Sequence, residues 1–375
     1  MRWMTRRPHD DDRGAVAFIV VILLTLVLLG LGAFVTDVGS WYAEKGQLQN
    51  GADAAALAVA QTCATQTTCT TAAAGSYANA NANDGLATVD AVCGSGSGLS
   101  GCGSTSCPAG NGNYVDVSTE TLTSNGSHLM PPLMANLLPN LNFAGEHLTA
   151  CAQASWTPVS SASGALAVTF SFCTWTAATA NGTVFAPPPP YASWPPAVPG
   201  YTVKPPAAGT PGGEQVLMLH GSGNDCADNA ASGWQLPGGF GWLQDTGSPN
   251  NCTTTVNTAN TYNDNTGVSA SDACVTALQN DFTDHTVVYL PIYDGLRGSG
   301  ANGVYHLAGF GAFVITGGYL NGSHGGFKQP SNITGNDYCS GSDRCLYGFF
   351  TKGLIPDAGS GGPSLPGVTT VTLTG

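Results

Sequence analysis

The strongest pattern along the chain is an unbroken apolar run, Ala15 to Thr36, of 22 residues without a charge. At about 1.5 Å per residue it is long enough as a helix to cross a bilayer core of about 30 Å. Beyond Thr36 the pattern turns amphipathic. Val38, Trp41, Leu48, Ala52, Ala55 and Val59 recur at helical spacing and give a thin apolar stripe. Residues 71–84 predict a second short helix. The segments 114–122 and 147–159 alternate apolar and polar residues and predict strands, with Leu148, Ala150, Ala152, Ala154 and Trp156 in phase. A long helix would lie against such antiparallel strands, paired as a sheet. Between the strands, 131–141 predicts a short helix packed on that sheet.

Residues 164–186 open a second region, and 187–211 then hold 10 of the chain's 23 prolines. Such a run favours extended backbone and supplies few ladder donors. After it, 214–223, 286–295, 304–320, 344–355 and 368–375 read as strands bounded by Gly, Asn and Asp turns, with 237–243 as a tight loop. The expected fold class is α+β: a transmembrane helix continuing into an amphipathic stalk helix, then a β-rich, disulfide-stabilised ectodomain. The expected organisation is a basic cytosolic tail (1–14), a transmembrane signal-anchor (15–36) and an external helix (37–62). A first β-rich region (63–186), a Pro-rich linker or loop (187–213) and a second β-rich, Cys-containing region (214–375) follow.

Charge sets the expected orientation. Arg2, Arg6, Arg7 and Arg13 precede the apolar run, and only Arg297 and Arg344 follow it. Asp10, Asp11 and Asp12 do little to offset that bias, so the N-terminus is expected in the cytosol. Residues 1–14 are net +1, which leaves −14 on the rest of a chain of net charge −13. An acidic body argues against nucleic-acid binding. A hydrophobic content of 42 % argues against disorder. A secretory signal has an apolar core of about 7–15 residues, so this longer one reads as an uncleaved signal-anchor.

All twelve cysteines lie beyond the apolar run: Cys63, Cys69, Cys93, Cys102, Cys107, Cys151, Cys173, Cys226, Cys252, Cys274, Cys339 and Cys345. None is spaced C-x-x-C, which leaves zinc ribbons and dithiol redox motifs without support. An even number in an exported body reads as disulfides. The short loops Cys63–Cys69 and Cys339–Cys345 are plausible pairs among many possible ones.

The residues R-G-A-V-A, the apolar span, then V-T-D-V-G-x-W-Y and Q-L-Q-N-x-A-D-A-A-A-L-A resemble the N-terminal segment of TadE/TadG-like Flp pilus-assembly proteins. These are tight-adherence minor pilins and their membrane-anchored relatives in bacteria. The resemblance rests on Gly14, Asp37, Gly39, Tyr42, Gln47, Gln49, Asn50 and Asp53, with Ala15, Leu23, Leu29 and Thr36 marking the anchor. It implies a single-pass protein that assembles or displays a thin pilus, with pilin or assembly proteins as partners. It implies no catalysis. After Gly14 the chain reads AVAFIVV, without the glutamate that pilin-type members carry, so the resemblance implies a retained anchor of the TadG kind. No D-x-S-x-S metal motif occurs. The Cys-containing second half resembles, at the level of pattern, the ectodomain of an actinobacterial branch.

No cofactor, metal, catalytic residue or small-molecule substrate is expected. VLMLHGSG (216–223) invites a hydrolase reading through His220, yet no G-x-S-x-G elbow accompanies it. The histidines show no H-x-x-x-H pair, and 260–267 lacks the calcium-loop pattern. Two alternatives stand beside the pilus reading: an envelope-anchored hydrolase using His220 and an Asp, and a surface adhesin independent of pili.

Overall fold

The computed structural model describes residues 12–103, 107, 110–137, 143–219, 233–246, 251–265, 271–298, 302–321, 326–363 and 365–374. It opens with one unbroken helix, α1 (Asp12–Thr65), of 54 residues and about 80 Å. The expected anchor and external helix are one continuous rod. An 18-residue stretch of its first part has a mean hydropathy of 3.0 and no residue of it is buried, so the helix is long and apolar enough to cross a membrane. The hydroxyls in this part turn inward: Thr25 Oγ1 donates to the Val21 carbonyl and Thr36 Oγ1 to that of Gly32. Neither needs water there.

The second part of α1 is embedded. Ala52, Ala55, Ala56, Val59, Ala60 and Ala64 pack on Val115 and Val117 of β2 (Tyr114–Thr121) and on Ala152, Ala154 and Trp156 of β3 (Thr149–Leu166). Alanine on both sides lets a helix lie close on a sheet. The period-two phase at Ala150, Ala152, Ala154 and Trp156 is the buried face, as the alternation predicts. α2 (Ala74–Asn81) crosses α1, and β1 (Ala87–Gly94) pairs antiparallel with β2.

β3 runs on through a bulge near Gly164 (φ +75°), and after Ala167 the chain enters the second sheet as β4 (Val168–Ser171). The short α3 (Phe172–Ala178) follows. Then come β5 (Gln215–Met218), β6 (Phe240–Trp242), β7 (Thr253–Asn257), β8 (Thr261–Asn263), α4 (Asp272–Asp284), β9 (Val287–Arg297) and β10 (Val304–Leu320). The chain ends with β11 (Phe327–Gln329), β12 (Cys345–Thr351), β13 (Gly353–Leu354), β14 (Gly359–Ser360) and β15 (Val368–Leu373). The first sheet has the order β1-β2-β3-β15-β13, with β7 and β14 also on β3; the second has β5-β12-β10-β9-β4-β6, with β8 and β11 on β10.

The second sheet is buried on both faces. One face stacks Tyr293, Tyr305, Leu307, Phe310 and Ala312 on Val159, Ala162 and Ala165 of β3. The other carries Phe170, Ile292, Phe313 and Phe350 under Trp175 of α3 and Leu278 of α4. Phe170 meets Phe313 edge-on, ring centres 4.9 Å apart. Burial on both faces explains why 304–320 reads as nearly continuous apolar sequence.

Three expectations change. The loop at 237–243 contains β6, paired with β4. Of the helix expected at 131–141, the described residues show one short turn, Ala135–Leu137, and 138–142 lie outside the described residues. The division at 187–213 does not follow the sheets, because β4 belongs to the second and β15 returns to the first. The Pro-rich stretch lies on the body: Tyr191, Trp194 and Val198 pack on Val314 and Phe349, and Tyr201 on Val216 and Tyr347.

Candidate functional site at the helix exit

Chemistry concentrates where α1 leaves its apolar run. Asp37, the first charged residue after it, is buried. Its Oδ1 accepts the backbone N–H groups of Leu133 (2.7 Å) and Met134 (2.8 Å), and its Oδ2 accepts that of Ala135 (2.6 Å). These are the orphan donors at the start of the Ala135–Leu137 turn, and a carboxylate suits them in charge and geometry. One helical turn on, the Trp41 ring lies 5.5 Å from Phe143. Asn136 holds Phe143 from both sides, donating to its carbonyl (3.1 Å) and accepting its N–H (3.0 Å).

The base of this loop is closed by paired backbone bonds between Met130 and Glu146 (2.8 and 3.0 Å). Gly145, at φ +122°, sits where a Cβ would come within 2.5 Å of the Met130 carbonyl oxygen, so the closure requires glycine. Beside it is an open cleft lined by Val38, Trp41, Tyr42, Lys45, Glu146 and Leu148.

Higher on α1, polar residues tie the helix to the body. Gln47 Oε1 accepts the Asn83 N–H (2.7 Å). Gln49 Nε2 donates to Asp53 (2.9 Å) and to the Cys151 carbonyl (3.0 Å), and Thr119 Oγ1 donates to the Leu48 carbonyl (2.9 Å). Glu44 is buried here, which pushes its carboxyl above the usual range. Gly51 admits α2: a Cβ there would lie 3.1 Å from Ala78 Cα.

Residues 14–62, which span these contacts, match the model of the putative Flp pilus-assembly TadE/G-like family. Over these residues the N-terminal helix is similar to a TadE/G-like segment. No curated protein and no solved structure matches the chain. The matched residues cover the apolar run and Asp37 together, and they relate the chain to Flp pilus assembly.

Of the residues that carried the resemblance, Asp37 holds the loop at 133–135, Gln47 accepts from Asn83, and Gln49 joins Asp53 and the Cys151 carbonyl. Gly39, Tyr42 and Asn50 are exposed along the same helix, and Gly14 and Ala15 lie in its first turn. Leu23, Leu29 and Thr36 are exposed on the apolar part of the TadE/G-like segment.

The cysteines lie outside this junction's chemistry. Described pairs are Cys63–Cys69, Cys93–Cys102, Cys107–Cys151, Cys252–Cys274 and Cys339–Cys345. Cys173 is disulfide-bonded, and Cys226 lies outside the described residues. Asp116 approaches the Cys93–Cys102 sulfurs, but oxidised sulfurs offer a metal no thiolate.

His220 also lies outside the described residues. Of the acidic residues, Asp294 pairs with His306 Nδ1 at 2.5 Å, both half-exposed. Sequence reasoning missed Glu214. Its fully buried carboxylate accepts Thr316 Oγ1 and Ser331 Oγ (2.6 Å each), the Tyr338 hydroxyl (3.1 Å) and the Tyr201 N–H (3.4 Å). Its only sequence signal is a lone acid beside a strand.

Proposed function

We propose that this chain is a single-pass, membrane-anchored structural component of a Flp-type pilus-assembly system, with its N-terminus cytosolic and its disulfide-bonded body outside. Its action is physical and not catalytic. One helix is bare over its apolar part and embedded over its alanine-rich part, and that observation carries the reading. A rod clamped in this way transmits position and force between the membrane and the body. The partners are pilin or platform proteins of the same assembly, and the exposed Gly39, Tyr42 and Asn50 are among the helix positions open to them.

Deleting the gene in its native host is expected to abolish or shorten pili seen by electron microscopy, with restoration by the intact chain. Unchanged pili would overturn the assembly role. Alkaline phosphatase fused at the C-terminus reports orientation, and an inactive fusion of full length would overturn the external body.

A further inference from the structure

Leu133, Met134 and Phe143 are exposed on the loop held by Asp37 and Asn136, with 59 % of Leu133 in the open. Asp37 follows directly on the apolar run, so this loop sits at the level where the helix leaves a bilayer. Ala33, one turn back inside the apolar run on the Asp37 face, is only 8 % exposed, while Leu29, Leu31 and Phe34 beside it stand at 59, 58 and 66 %.

Backbone chemistry points the same way. Pro131 and Pro132 have no N–H, and the next three amides are all satisfied by Asp37. Five consecutive residues therefore present no free donor, as backbone entering a medium without water requires. The Phe143 amide is likewise taken, by Asn136.

We propose that this loop is a second membrane contact. Leu133, Met134 and Phe143 insert into the headgroup–acyl boundary of the leaflet on the body's side, beside the helix. Apolar side chains at that depth add affinity in proportion to the area they bury. Two contacts fix the tilt and rotation of the body over the bilayer, which one helix alone leaves free. The proposal rests on the reading of α1 as a membrane anchor.

The test uses the full chain in vesicles of phosphatidylcholine and phosphatidylglycerol. A dansylalanine residue is placed, in separate variants, at Leu133, at Leu29 in the apolar run and at Val203 on the Pro-rich stretch. Lipids brominated near the carbonyls or near the chain ends serve as quenchers. The probe at 133 is expected to shift to the blue and lose emission most to the shallow bromines. The probe at 29 should respond most to the deep ones, and the probe at 203 to neither. If 133 behaves like 203 while 29 is quenched, the loop contact is overturned and the anchor stands. If 29 is also unquenched, the anchor reading fails and takes this one with it. A blue shift at 133 without bromine quenching would mean that protein covers the loop, and would also overturn the lipid contact.

Discussion

The Asp37 carboxylate accepts the backbone N–H of Ala135 at 2.6 Å across 98 positions of sequence. That bond, with its two companions, ties the loop at 133–135 to the helix. It gives a physical reason for an acid at that point of a TadE/G-like segment.

Asp37→Ala leaves three part-buried amides without their acceptor and is expected to cost about 1–3 kcal/mol. Asp37→Asn keeps one acceptor oxygen and should cost less. Hydrogen exchange at Leu133, Met134 and Ala135 reads the effect directly. Protection that survives Asp37→Ala would show that the clamp is not what orders the loop.

Gly51→Leu places a side chain against Ala78 and should cost about 1–3 kcal/mol by forcing α2 off α1. Gly46 is the internal control, with nothing within 4 Å of a Cβ. Gly46→Ala should be stabilising by up to about 1 kcal/mol through helix propensity. Thermal unfolding of the two variants in detergent is expected to move in opposite directions.

Glu214→Ala removes the acceptor shared by Thr316, Ser331 and Tyr338. The expected loss is about 3–5 kcal/mol, because several buried donors are left unpaired. Glu146→Gln, at an exposed position, should be close to neutral. Denaturant midpoints compare them, and equal midpoints would remove Glu214 from the determinants of the second sheet.

His285 closes α4 in a left-handed conformation and stacks on Trp194 at 3.6 Å. Burial lowers its pKa from the ordinary 6.5, against the opposing charge of Asp284. The unfolded chain therefore takes up the proton first as pH falls. The contribution of His285 to stability is whole above about pH 6.5 and declines as the pH drops toward the lowered folded value. NMR titration of the imidazole checks the sign, and Trp194→Ala is expected to move His285 back toward 6.5.

Much of the fold is legible where periodicity is strong. Leu48, Ala52, Ala55 and Val59 at helical spacing, and Ala150, Ala152, Ala154 and Trp156 at alternate positions, each name the face that the structure buries. The run at 304–320 is legible as a strand from its apolar content. By contrast, 237–243 looks like a turn because Pro237, Gly238 and Gly239 dominate it, although Phe240–Trp242 pairs with Val168–Phe170. The contacts of the helix are half legible: the resemblance singles out Asp37, Gln47 and Gln49, while nothing local marks Leu133, Asn83 or Cys151 as their partners.

The sequence by itself determined the span, the alanine-rich embedded face, the oxidised body and the TadE/G-like character. Each of these is a property of composition or of period within one segment. Tertiary structure alone decided that Asp37 seats a loop 96 to 98 residues away. It also decided that β15 closes the first sheet from the far end of the chain, and that Glu214 gathers donors from separate segments. A buried carboxylate is stable only where donors converge on it, and that convergence is set by how distant segments pack.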